Sequence, residues 1–91
     1  MELSPEQKKQ YLIRRHKDLA DCLKALETLD SAVLQRVGHQ IKGNALTFGY
    51  PDLGTIGDAL EKAIRAQDWE ASREFVLKFQ AFLDQQDPSS P

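Results

Sequence analysis

The chain has 91 residues, of which 41% are hydrophobic and 29% charged, and its formal net charge is -2. That length accommodates one small domain with a single core, and the composition is that of a folded protein. The acidic balance argues against nucleic-acid binding, which ordinarily needs a basic face. No apolar run approaches the roughly 20 residues that span a bilayer, and the first residues do not resemble a signal peptide. We therefore expect a cytoplasmic protein.

Apolar residues recur at spacings of three and four along nearly the whole chain, a pattern that predicts helices and no strand. Capping residues, prolines and glycines divide it into four helices, at 5–27, 31–48, 51–67 and 69–85, with a flexible tail at 87–91. Because the connections are short, consecutive helices are expected to run antiparallel. The predicted fold is all-α, an antiparallel up-down-up-down four-helix bundle forming a single domain over residues 1–91.

The first helix is predicted to begin with a capping box, in which Ser4 caps, Pro5 takes the first helical position and Gln7 lies three residues after the cap. His16 falls within the apolar stripe of this helix, so we interpret it as a partly buried packing residue. The single cysteine, Cys22, excludes an internal disulfide and is interpreted as a small buried hydrophobe.

The second helix places a histidine on its solvent side. Its apolar stripe centres on Leu34, Ile41 and Ala45, and at 100° per residue His39 lies about 140° away from that centre. An exposed imidazole is mostly neutral near pH 7 and can attack phosphorus as a nucleophile. His39 is therefore the candidate for nucleophilic chemistry.

Gly43, one turn after His39, is expected to face water, where a helical glycine costs roughly 1 kcal/mol relative to alanine. Gly38 and Gly57 lie on buried stripes and are predicted to let two helices approach. That explanation does not apply to Gly43, which would instead leave both ring nitrogens of His39 open to a partner. Lys42 lies on the same side and could offset phosphoryl charge.

The site is incomplete by itself. The chain has no glycine-rich phosphate loop, no cluster of carboxylates and no base paired with a nucleophile. His16 and His39 lie on different helices, with no thiol or carboxylate spaced to join them, so neither zinc nor haem is expected. We expect the chain to bind no metal or cofactor itself, and a partner to bring the magnesium and the carboxylates.

A longer pattern resembles the signature of histidine-phosphotransfer domains. It spans the second and third predicted helices and consists of His39-Gln-Ile-Lys42-Gly43, Gly49, Leu53 and Leu60-Glu61. The segment Thr47-Phe48-Gly49-Tyr50 also resembles the phosphotransfer domain at the head of chemotaxis kinases, although nothing kinase-like follows it here.

The resemblance implies that His39 is the phosphoacceptor, that Lys42 assists the phosphate and that Gly43 gives access. It also implies that the receiver domain of a response regulator supplies the phosphoaspartate and the magnesium, and docks on the histidine face. Gln35 and Leu46 lie on that face and are the expected docking residues.

Two further residues bear on the docking surface. Ile13, on the flank of the first helical stripe, could extend the docking patch. Asn44 departs from the small residue that the family often has at this position.

The expected function is that of a monomeric phosphorelay carrier, which accepts a phosphoryl group on His39 from one receiver and passes it to another. Such a carrier is not an enzyme and has no autokinase activity. A hybrid histidine kinase is a further candidate partner, whereas nucleic acid and membranes are not. Two alternatives stay open: an interaction module that binds a receiver or kinase without accepting phosphate, and a structural bundle in which the motif is coincidental.

Overall fold

The computed structural model of the chain describes residues 3–86. Within that range it contains four α-helices and no strand: α1 (Pro5–Thr28), α2 (Ser31–Asn44), α3 (Pro51–Arg65) and α4 (Trp69–Gln86). The predicted all-α class is confirmed. The tail predicted at 87–91 lies outside the described residues, and none of the four helices is both long and apolar enough to cross a bilayer.

The helices form a ring of neighbours. Contacts join α1 to α2, α2 to α3, α3 to α4 and α4 back to α1, and α2 and α3 share the most extensive interface. The connecting segments, 29–30, 45–50 and 66–68, are short. This arrangement is consistent with the predicted up-down-up-down order.

The predicted capping box at the start of α1 is confirmed. The amide of Gln7 donates to the Ser4 hydroxyl at 3.1 Å, and the Ser4 amide donates to Gln7 Oε1 at 2.8 Å. Helix α2 is shorter than the predicted 31–48, because it ends at Asn44 and residues 45–49 form turns. Its end is closed by the amide of Tyr50, which donates to the Ala45 carbonyl at 2.9 Å.

The prediction that His16 is a partly buried packing residue was wrong, because His16 is exposed. The face of α1 that packs against the core instead begins at Tyr11 and passes through Arg15 and Asp18. These two charged residues pair at 2.9 Å, and the Arg15 guanidinium lies 4.4 Å from the centre of the Tyr11 ring. Because they pair, these two charged side chains can lie on the inward face of α1. A search for apolar residues alone does not identify that face as the buried one.

The core lies between all four helices. Cys22 is completely buried, as predicted, and burial raises the pKa of its thiol to about 12. Helices α2, α3 and α4 supply most of the remaining core. Its main buried side chains are Leu19, Leu34, Val37, Ile41, Leu53, Leu60, Ile64, Val76, Phe79 and Leu83.

Glycine allows α2 and α3 to meet backbone to backbone, as predicted. A Cβ added to Gly38 would lie 3.0 Å from the Glu61 amide nitrogen and 3.0 Å from the Gly57 carbonyl oxygen. One added to Gly57 would lie 2.8 Å from the Lys42 amide nitrogen. The close crossing also brings together the residues around the contact, including His39 of α2 and Glu61 of α3.

Candidate functional site

His39 lies on the outer face of α2, with 70% of its side chain exposed. Gly43 leaves the adjacent space open, since a Cβ added there would meet nothing within 4 Å. The predicted exposure of both residues is confirmed. Their roles in phosphoryl transfer stay predictions.

Glu61 of α3 lies against the imidazole ring. Its side chain is only 3% exposed, and its Oε2 lies 2.8 Å from Nδ1 of His39. The expectation that both ring nitrogens are open to a partner was therefore wrong. The expectation that no base is paired with the nucleophile was wrong as well. Only Nε2 remains available.

Two cations compensate the buried carboxylate of Glu61. Arg65 Nη2 lies 3.3 Å from Oε2, and Lys42 Nζ lies 3.6 Å from Oε1. A carboxylate can be kept away from water when it is paired and hydrogen-bonded in this way. An ionised carboxylate only accepts hydrogen bonds, so the contact with Glu61 holds a proton on Nδ1 of His39 and leaves Nε2 as the outward-facing ring nitrogen.

Lys42 is also held by Asp58 of α3. Its Nζ lies 3.5 Å from Oδ1 of Asp58, whose Oδ2 lies 3.1 Å from Nζ of Lys62. The hydrogen bond from Lys62, with a further contribution from Lys42, lowers the pKa of Asp58 below its ordinary value. Lys42 therefore points its ammonium group toward the α3 side of His39, beside Glu61.

Gln35 and His39 line the same shallow hollow, of about 390 Å³, between α2 and α3. Arg36 and Arg65 border it as well, which gives the hollow a basic rim. Of the three predicted docking residues, Gln35 is therefore the one that shares a surface feature with the histidine.

Leu46 and Ile13 are exposed apolar side chains, at 71% and 51% exposure. Leu46 lies in the turn after α2 rather than on the helix, and neither residue shares the hollow beside His39. Asn44, the departure from the family pattern, has a structural role: the Tyr11 hydroxyl donates to its Oδ1 at 2.5 Å and ties α1 to the end of α2.

Sequence reasoning missed the parts of the site that α3 supplies: Glu61 as the partner of the imidazole, with Arg65 and Asp58 around it. One signal was present. Glu61 lies four residues after Gly57 and three before Ile64, so it interrupts the buried stripe of α3 with a carboxylate. A charged side chain that is buried at such a position requires a partner to pair with it.

Within residues 3–86, no group of three or more His, Cys, Asp or Glu side chains is placed to hold a metal ion. The two carboxylates near His39 are already engaged, Glu61 by the imidazole, Lys42 and Arg65, and Asp58 by two lysines. These residues do not fit a magnesium site, because Mg²⁺ requires free oxygen ligands.

A family model described as the Hpt domain matches residues 9–87. The chain therefore belongs to the Hpt-domain family. No curated protein and no solved structure matches it significantly. Hpt domains are phosphocarriers of two-component signalling that interact with receiver domains and histidine kinases, and membership of this family supports a phosphotransfer role in such signalling for the chain.

Proposed function

We propose that the chain accepts a phosphoryl group on Nε2 of His39 from the phosphoaspartate of a receiver domain and passes it to a second receiver. The observation that supports this most directly is that the two sides of the imidazole ring have different surroundings. Nδ1 is hydrogen-bonded to the buried Glu61, while the ring itself is 70% exposed. An imidazole held in this way has its tautomer fixed and its nucleophilic nitrogen directed outward.

The transfer step follows from this tautomer. The Nε2 lone pair forms a bond to phosphorus as the bond from phosphorus to the aspartyl oxygen breaks, and the released electron pair restores the aspartate carboxylate. The proton stays on Nδ1, so the ring becomes positively charged. The Glu61 carboxylate, 2.8 Å away, stabilises that charge. The second transfer reverses these changes, and the electron pair of the N–P bond returns to Nε2.

Lys42 and Gly43 have different roles in the proposal. Lys42 offsets the charge of the transferring phosphoryl group, since its ammonium already lies on the His39 side of α2. Gly43 keeps the approach to Nε2 free. Gln35, Leu46 and Ile13 are proposed to contact the receiver.

The proposed carrier has no autokinase activity and is completed by its partner. Magnesium bound by the receiver would neutralise phosphoryl charge during transfer. A hybrid histidine kinase is a further proposed partner, through its receiver. We further propose that the carrier is cytoplasmic. It is proposed to act as a monomer, because one histidine face is sufficient for one receiver at a time.

The test is transfer of labelled phosphate from a phosphorylated receiver. The chain is expected to become labelled, through a bond that is labile to acid and stable to base, and His39→Gln is expected to abolish labelling. Binding that survives His39→Gln, with no labelled chain at any time, would instead support the interaction module. Equal labelling of the variant would refute His39 as the acceptor.

The docking residues have a matched control. Leu46→Ala is expected to slow transfer at limiting receiver concentration, because it removes an apolar side chain that the receiver covers. Leu77 on α4 is also an exposed leucine, at 49%, and Leu77→Ala is expected to leave transfer unchanged. Equal rates for both variants would remove Leu46 from the docking surface.

A further inference from the structure

Glu61 presents an electrostatic problem for the proposed nucleophile. A lone carboxylate 2.8 Å from an imidazole favours the doubly protonated ring, and that ring has no lone pair with which to attack phosphorus. The same carboxylate is required to hold the proton on Nδ1. The site therefore needs the hydrogen bond of Glu61 without the full effect of its charge.

The contacts of Glu61 meet both requirements. Its Oε2 is shared between His39 and Arg65, and its Oε1 faces Lys42. Two positive charges thus lie against one negative charge, Arg65 at the oxygen that the imidazole also contacts and Lys42 at the other oxygen. They weaken the pull of Glu61 on a second proton and leave its acceptor oxygen in place.

The other charged groups around His39 do not supply this compensation. On α3, Asp58 and Lys62 pair with each other at 3.1 Å, and Asp58 also pairs with Lys42 of α2. On α2, Arg36 borders the hollow and also lies near Asp18 of α1. None of the ion pairs found within residues 3–86 links α1 or α4 to Glu61.

We propose that Arg65 is a positioning residue for phosphotransfer: by pairing with Glu61, it lets the carboxylate orient the imidazole of His39 while keeping the ring in its singly protonated, nucleophilic form. Lys42 shares in the compensation but also faces the incoming phosphoryl group. Among the described residues, Glu61 is the ion-pair partner found for Arg65, and the proposed effect of Arg65 on the ring is exerted through that pairing. This inference rests on the proposed function of His39 as phosphoacceptor.

The test is a titration of His39 by long-range ¹H–¹⁵N NMR, which reports both the tautomer and the midpoint of ring protonation. In Arg65→Gln the midpoint is expected to move upward by roughly 0.3 to 0.7 of a pH unit, the displacement that loss of one partly exposed charge produces. Arg65→Lys, which keeps the charge, is expected to restore most of the wild-type midpoint. The pH at which the transfer rate reaches half its plateau is expected to move in the same direction.

Lys62→Gln is the matched control, because it removes an exposed cation of the same helix that pairs with Asp58 instead of Glu61. Its midpoint is expected to stay near that of the wild type. His39 and Lys42 still contact Glu61 when Arg65 is replaced, so the fold is expected to persist, which circular dichroism checks. An unchanged midpoint in Arg65→Gln, or an equal shift in Lys62→Gln, would overturn the inference. Absence of phosphate on the wild-type chain would instead overturn the proposed function and leave the titration result standing.

Discussion

At the scale of single residues, Gly43 is a position where the residue that is best for stability is not the residue expected to be best for phosphotransfer. It lies within α2, and a Cβ added there would touch nothing within 4 Å. The folded chain alone therefore gains nothing from a glycine at this position. This is what the proposed role of Gly43 predicts, in which the missing side chain serves a partner that approaches Nε2 of His39.

Gly43→Ala is accordingly expected to raise the free energy of unfolding by up to about 1 kcal/mol, because alanine is the better helix former. The same substitution is expected to slow phosphotransfer several-fold, since the methyl group narrows the approach to His39. Urea unfolding and transfer kinetics from a phosphorylated receiver measure the two effects.

Gly54→Ala provides the comparison for Gly43→Ala. Gly54 is also helical, and its added Cβ would make an ordinary contact, 3.6 Å from the Cβ of Ala45. It is expected to stabilise the chain without slowing transfer. If transfer by the Gly43 variant kept the wild-type rate, the role of Gly43 in access would have to be abandoned.

The residues of the site differed in how far sequence could predict them. The exposure of His39 and Gly43 followed from the angular spacing on one helix, which local geometry fixes. The contact between His39 and Glu61 depends on how closely α2 and α3 approach, which no single-helix argument provides. His16 was misplaced for a related reason, because Arg15 and Asp18 hide the buried stripe of α1 behind a polar pattern.

At the scale of elements, the crossing of α2 and α3 determines whether the site forms. The backbones meet at Gly38 and Gly57, and the Glu61 side chain reaches His39 from the next turn of α3. The sequence predicted the close approach from the two glycines. The polar contact that this approach creates was not predicted.

Gly57→Ala is expected to lower the free energy of unfolding by about 1 to 3 kcal/mol, the usual cost of overpacking. Its Cβ would lie 2.8 Å from Ile41 Cγ2 and 2.9 Å from the Gly38 carbonyl oxygen, so the helices must separate. The separation is also expected to weaken the hydrogen bond to Nδ1 of His39, and long-range ¹H–¹⁵N NMR would then show a loss of the single tautomer.

Gly54→Ala, three residues earlier on α3, controls for the change in helix propensity. A Gly57 variant as stable as the Gly54 variant would show that the crossing tolerates a methyl group. A destabilised Gly57 variant that kept the His39 tautomer would show that Glu61 does not depend on the crossing for its position.

At the scale of the whole molecule, Asp18 and Asp58 both pair with cations, but their pKa values respond to their surroundings in opposite ways. Burial raises the pKa of Asp18 above its ordinary value of 3.8, and the nearby charge of Arg15 does not fully offset it. The hydrogen bond from Lys62, together with Lys42, lowers the pKa of Asp58 below the same value. One ion pair lies against the core and the other on the surface beside the site.

These directions predict opposite pH dependences of stability. The folded chain retains the Asp18 proton to higher pH than the unfolded chain, so ionisation of Asp18 reduces stability as the pH rises from the ordinary value through the raised one. For Asp58 the stabilising contribution is present above the ordinary value and is lost as the pH falls through the lowered one. Urea unfolding from about pH 3 to about pH 6 tests both. With rising pH, the stability of the wild type relative to Asp18→Asn is expected to fall and that relative to Asp58→Asn to rise. Parallel curves for the two variants would contradict this assignment, because they would mean that the buried and the surface carboxylate respond alike to folding.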